Sequence, residues 1–166
     1  MCPGWHQSYT DDFDWTRHSG PTGSYLTGPS SGHGGYGEFD VEYVICLILS
    51  WNDLEKMCSI TTFILLGFYM YIETSPRSYG DKAKLLFSPP SSVIGTISCL
   101  KFYYHMYGAT INRLNVFNGY SIVFTKSGQQ GNRWLYAEVT VFVQNTVSYL
   151  CEVEKNMNRG MARNEI

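Results

Sequence analysis

Apolar and polar-aromatic positions alternate from Cys99 to Gly108: Leu100, Phe102, Tyr104 and Met106 fall on one side, Lys101, Tyr103, His105 and Tyr107 on the other. A period of two predicts a strand with one face in a core and a mixed, aromatic-rich face outside. Aromatic side chains suit that role because they pack well on a pleated surface. Gly108 supplies the turn that follows. The same pattern recurs along the chain. In Asp11–Trp15, Phe13 and Trp15 fall on a core side, with Asp12 and Asp14 facing out or toward an ion. Tyr69–Thr74 reads as a strand, and Ala83–Phe87 as a shorter one ending before Pro89-Pro90, where no ladder can continue. Leu114–Phe117 and Tyr120–Lys126 flank Asn118-Gly119, a strong hairpin signal because both residues tolerate positive φ. Gly128–Asn132 is a second turn. Trp134–Val143 then lines up Leu135, Ala137, Val139, Val141 and Val143 on one face.

Three stretches break the pattern. Ser19–Gly37 is dense in Gly, Ser and Pro and predicts a long loop. Glu38–Phe68 is rich in Ile, Leu, Val and Cys with little glycine, and reads as an atypical apolar insertion. Within it, Val41–Leu54 fits a strand or an amphipathic helix, since a short apolar run does not decide between them. The tail, residues 144–166, ends in EKNMNRGMARNEI, which has no core-forming period and is expected to be loosely held.

Length and composition narrow the class. The 166 residues suit one domain, 16% aromatic and only 16% charged, below the roughly 25% usual for soluble domains. The net charge of −2 offers no basic footprint for nucleic acid. The N-terminus has no basic or apolar signal-peptide region. The apolar runs Tyr43–Leu49 and Ser59–Ile72 are each too short to span a bilayer and are separated by charged residues. No transmembrane segment is expected.

Candidate chemistry is sparse. Asp11, Asp12 and Asp14 cluster, but such a group is more often a solvated strand edge than a site. His105 lies on the outer strand face without a partnered nucleophile, and no GxSxG, HExxH or Walker loop is present. All four histidines are read as structural. Cys46 and Cys58 look like small buried hydrophobes, and the five cysteines form no CxxC pair. Trp5, Trp15 and Trp134 are read as core fillers. Gly32–Gly37 lacks the following helix that a phosphate cradle needs. No catalytic, cofactor or metal residue is assigned.

Six motifs in order carry a resemblance: Gly4-Trp5 with Gln7; Asp11–Arg17; Thr27-Gly28-Pro29 with His33; Tyr71-Ile72-Glu73 with Ala83, Leu85 and Ser88-Pro89; Cys99–Gly108; and Gly131 with Trp134. Together they resemble a MAM domain, the extracellular module named for meprin, a neuropilin and a receptor-type protein tyrosine phosphatase. Residues 1–143 are similar to that module, interrupted at 38–68; excising the block would join GGYG to YMYIET and restore the family pattern. The family's first strand and its closing strand have no clear counterpart, so the resemblance leaves Cys2 and Cys99 without their usual disulfide partners, with Cys151 in foreign surroundings. A lost disulfide typically costs ~2–5 kcal/mol in a small secreted domain. Calcium in the family is held by those missing strands and by a loop Asp, where this chain has Gly32, so no metal is expected here.

The resemblance and the alternating strands together imply an all-β, antiparallel, jelly-roll-like β-sandwich. The resemblance implies a non-catalytic adhesion or recognition module, part of a larger membrane-anchored or secreted protein. It would act at the cell surface or outside the cell on a protein partner, including another copy of itself. The alternatives are a carbohydrate-binding module using Tyr103 and Tyr107, and an accessory domain of an extracellular enzyme.

Overall fold

The computed structural model describes residues 5–21, 28–31, 43–48, 68–73, 77–89, 91–108, 111–143 and 151–155, with backbone alone at 43–48, 68 and 151–155. Among the described residues there are ten strands: β1 Trp5–Gln7, β2 Thr16–Ser19, β3 Tyr43–Ile48, β4 Phe68–Tyr71, β5 Lys82–Phe87, β6 Ile97–Met106, β7 Ile111–Asn118, β8 Ser121–Ser127, β9 Gly131–Phe142 and β10 Cys151–Lys155. They form two five-stranded sheets, ordered β1-β5-β10-β7-β8 and β2-β4-β3-β6-β9. Every pairing is antiparallel. The expected all-β sandwich is what forms.

The inner rows of the two sheets make one core. Leu100, Phe102, Tyr104 and Met106 of β6 are all buried, as the alternation requires. They meet Ala83, Leu85 and Phe87 of β5 and Leu114 and Val116 of β7. Phe124 of β8 stands edge-on to Phe102 at 5.0 Å and to Tyr104 at 5.3 Å between ring centroids, a favoured aromatic geometry. Phe13 and Trp15 also enter this core.

Several motif residues acquire structural reasons. The Gln7 side chain donates from Nε2 to Trp15 O at 2.6 Å and accepts from Trp15 N–H at 3.2 Å. One amide thus imitates a strand neighbour and satisfies both main-chain groups of a buried tryptophan. Asp12 accepts from Lys82 N–H at 2.8 Å and Asp11 from Lys84 N–H at 2.5 Å, while Asp12 N–H donates to Lys82 O at 2.9 Å. The two aspartates therefore tie their loop to β5. Burial pushes the Asp11 carboxyl above its usual value, opposed by the hydrogen bond from Lys84.

The hairpin falls one residue later than expected. Asn118 pairs with Ser121, so the two loop residues are Gly119 and Tyr120. Gly119 has φ of +61° at the first loop position, the conformation that hairpins with a leading glycine use.

Two stretches differ more. Tyr43–Ile48, from the block read as an insertion, is a strand between β4 and β6, with Tyr43 opposite Met106 and Ile48 opposite Lys101. Cys151–Lys155, from the tail expected to be loosely held, lies between β5 and β7, with Cys151 opposite Leu85 and Val116. Ladder hydrogen bonds are made by the main chain, so the apolar Tyr43–Ile48, a strand or a helix by pattern alone, and the polar Cys151–Lys155 can each fill a gap between two strands. Apart from Phe68, which begins β4, the remaining residues of both blocks lie outside those described.

Two variants test this packing. Phe102→Ala should lower the unfolding free energy by about 3–5 kcal/mol, as for other buried large-to-small changes, read by urea denaturation. Gln7→Glu keeps the acceptor for Trp15 N–H but sets a carboxylate oxygen against Trp15 O. It should cost about 1–3 kcal/mol in the same assay, and an unchanged midpoint would contradict the bridging role.

A candidate recognition surface

The outer face of the second sheet is divided in two. At one end it is roofed. His105 faces outward by register yet is only 1% exposed, which corrects the expectation of an open position. Trp134 stands 5.7 Å from it, ring to ring, and 6.2 Å from Tyr69. His18 packs 5.6 Å from Tyr69 and 5.3 Å from Tyr71. These rings pin the Gly-rich segment. Trp134 Nε1–H donates to Ser31 O at 3.0 Å, Tyr69 O–H donates to Gly20 O, His18 Nε2 lies 2.9 Å from Pro21 O, and Gly28 N–H donates to Tyr107 O at 3.1 Å. Trp134 is therefore a loop anchor outside the sandwich core, whereas Trp15 fills the core and Trp5 stacks 4.8 Å from Phe87. Burial raises the Tyr69 hydroxyl pKa well above its ordinary value. His105 Nε2 lies 3.0 Å from Asn132 Oδ1. The histidine is thus a packed member of the roof.

At the other end the face is open. Register sets Ile97 opposite Phe142, Cys99 opposite Thr140, Lys101 opposite Glu138 and Tyr103 opposite Tyr136. Ile97 is 74%, Phe142 53% and Tyr136 49% exposed. The Tyr103 and Tyr136 rings meet at 5.2 Å. Glu138 is the polar centre: it accepts from Cys99 Sγ at 3.0 Å and from Tyr136 O–H at 2.6 Å, and lies 3.8 Å from Lys101 Nζ. The Cys99 and Tyr136 hydrogen bonds, with Lys101 beside them, hold the Glu138 carboxyl below its usual range. The same carboxylate pushes the Cys99 thiol up, and the Tyr136 hydroxyl up to about 12.

The predicted residues fall on both sides of this division. Tyr103 belongs to the open half, paired with Tyr136. Tyr107 belongs to the roof, edge-on to His105 at 6.5 Å. The two tyrosines named for sugar stacking are therefore separated by the buried histidine. The partner the sequence reading missed is Tyr136, legible only as an outward position of β9. Cys99 is a free thiol; Cys151 lies in the opposite sheet. Cys46 sits opposite Tyr103 by register, while Cys2, Cys58, His33 and Gly32–Gly37 lie outside the described residues. Asp11, Asp12 and Asp14 line an open cleft of about 480 Å³ with Arg77 and Tyr9, and Arg77 Cζ stacks 4.5 Å over Phe13. Among the described residues no three His, Cys, Asp or Glu side chains are grouped to hold a metal, and no helix is long and apolar enough to cross a membrane.

The Glu138–Cys99 contact predicts slow thiol chemistry. A raised thiol pKa means less thiolate at any pH below it. Cys99 should react with iodoacetamide more slowly at pH 8 than an unperturbed peptide thiol, and Glu138→Ala should speed it and shift its pH–rate profile to lower pH. An unchanged profile in Glu138→Ala would show that the carboxylate does not control the thiol.

Comparisons with known proteins agree with the architecture. Residues 56–163 match the MAM domain, meprin/A5/mu. A MAM and fibronectin type III domain-containing protein 1 of Acropora millepora is 78% identical over 49 residues, covering 30% of this chain and 12% of the relative. Thyroid hormone-induced protein B of Xenopus laevis is 32% identical over 143 residues, covering 82% of this chain and 16% of the relative. The human MAM domain-containing glycosylphosphatidylinositol anchor protein 2 is 34% identical over 156 residues, covering 82% and 13% respectively. The chain thus spans 12%, 16% and 13% of these curated relatives. With a family match over most of its length and a two-sheet antiparallel sandwich, the chain belongs to the MAM domain family.

Proposed function

We propose that this domain is a non-catalytic recognition module of a larger extracellular or cell-surface protein, binding another protein through the open half of its second sheet. The observation that carries this reading is the exposure of Ile97, Tyr136 and Phe142 on one continuous face of β6 and β9. Large apolar side chains grouped on a surface are a signature of interaction sites, and tyrosines are enriched at interfaces because they combine contact area with a polar tip. Family membership supports the extracellular setting. So do relatives whose names include a glycosylphosphatidylinositol anchor. The chain's share of those relatives makes it one module among others. An anchored parent would hold the face at a cell surface.

Beads coated with the purified domain should bind cell surfaces saturably, and protease treatment of the cells should abolish that binding. Retention equal to that of uncoated beads would overturn the reading. Hydrolysis of peptides by the purified domain would overturn its non-catalytic part.

A further inference from the structure

Tyr9 stands in the loop that joins β1 to β2, and it is 99% exposed. The main chain on either side of it is tied down. Ser8 N–H donates to Lys84 O at 3.2 Å, and Thr10 N–H donates to Ser8 Oγ at 3.0 Å. Asp11 and Asp12 tie the next residues to β5. The phenol is therefore displayed on a fixed turn and adds nothing to the core. Its sequence neighbours are acidic. Asp11, Asp12 and Asp14 follow at the second, third and fifth positions, and no Lys or Arg precedes Arg17. Asp12 and Asp14 are exposed and Asp11 is half-buried. Arg77 shares their cleft but lies over the Phe13 ring. Tyr120 supplies the contrast. It is fully exposed in the β7–β8 hairpin, yet no charged residue lies within five positions of it.

We infer that Tyr9 is a site of O-sulfation, modified on the folded chain by a tyrosine sulfotransferase of the secretory pathway. The inference rests on the extracellular setting of the reading above, because a chain bound for that setting passes the compartment where activated sulfate is used. The donor, a nucleoside phosphosulfate, is polyanionic, so the enzyme that holds it presents a cationic site. Carboxylates beside the acceptor phenol are drawn to such a site, whereas an uncharged surround such as that of Tyr120 is not. The transfer balances without an oxidant. Tyr9 Oη attacks the sulfur, an O–S bond forms, and the S–O bond to the donor's phosphate breaks. The nucleoside phosphate leaves, and the phenol proton passes to a base of the enzyme. The ester removes the hydroxyl donor and adds one permanent negative charge to a loop that already carries three aspartates.

The test incubates the purified, folded chain with solubilised Golgi membranes of animal cells and a nucleoside phosphosulfate carrying radioactive sulfur. Wild type should take up label, and proteolytic mapping should place it on the peptide that contains Tyr9. Tyr9→Phe should lose the label while keeping the wild-type urea midpoint, and Tyr120→Phe should keep it. Asp12→Asn combined with Asp14→Asn should slow labelling about tenfold or more. Asparagine at position 12 retains an oxygen that can accept from Lys82 N–H, so the loop stays tied. The protein recovered from its own cells should carry one sulfuryl ester on the same peptide. Wild type that takes up no label, label that survives Tyr9→Phe, or label seen only on denatured chain overturns the assignment. A recovered protein whose Tyr9 is bare or phosphorylated does so as well. A rate unchanged by the two asparagines overturns recognition through the carboxylates. The recognition reading falls separately. Beads that bind cells while the chain takes no label overturn the sulfation alone; a labelled Tyr9 on beads that bind no cell overturns the recognition reading alone.

Discussion

The period of two along β6 is the constraint on which the rest of the structure depends. Ten residues present two rows of opposite character, and a slip of one residue would send each to the wrong side. The inner row, Leu100 to Met106, fills the centre of the sandwich. The outer row carries the candidate surface at one end and the aromatic roof at the other. β6 is also the junction of its sheet, with β3 on one side and β9 on the other. Burial of one row therefore fixes where the other is displayed.

Burial and display are linked through β9. Its inward positions, Ala137 and Val141, lock the register against β6, and that register brings Tyr136, Glu138 and Phe142 beside Tyr103, Lys101 and Ile97. These side chains stand on paired strands, a rigid platform on which little conformational entropy would be lost on engaging a partner. The roof works differently. There a glycine-rich segment with few large side chains is held by hydrogen bonds from Trp134 and Tyr69 to main-chain oxygens. The aromatic residues of the sheet supply what the loop lacks.

Two acidic residues that suggest ion binding in isolation are hydrogen-bonded to the backbone. Asp11 and Asp12 accept main-chain hydrogen bonds from β5, and Gln7 completes the main chain around Trp15. These are non-local satisfactions of buried or half-buried polar groups, which a folded chain must find for nearly all of them. Motif residues in this domain thus owe their identities to structural bonding before any ligand is considered.

Alternation alone determined most of the strands and the burial of Phe13, Trp15 and the even-numbered row of β6, because a side chain's face follows from its place in the pleat. Ordered motifs determined the family. The hairpin was legible to within one residue; strand register, rather than the Asn-Gly pair, chose which residues form its loop. Three things were decided only by tertiary structure. Tyr43–Ile48, which fits a strand or a helix by pattern, and Cys151–Lys155, from a polar tail, became central strands by pairing on both sides with strands distant in sequence, a placement their side chains do not specify. His105 became buried because Trp134 and the segment it anchors lie over it, contacts between residues far apart in the chain. The open surface formed because cross-strand register set Lys101 beside Glu138 and Tyr103 beside Tyr136, and register between distant strands is a property of the assembled core.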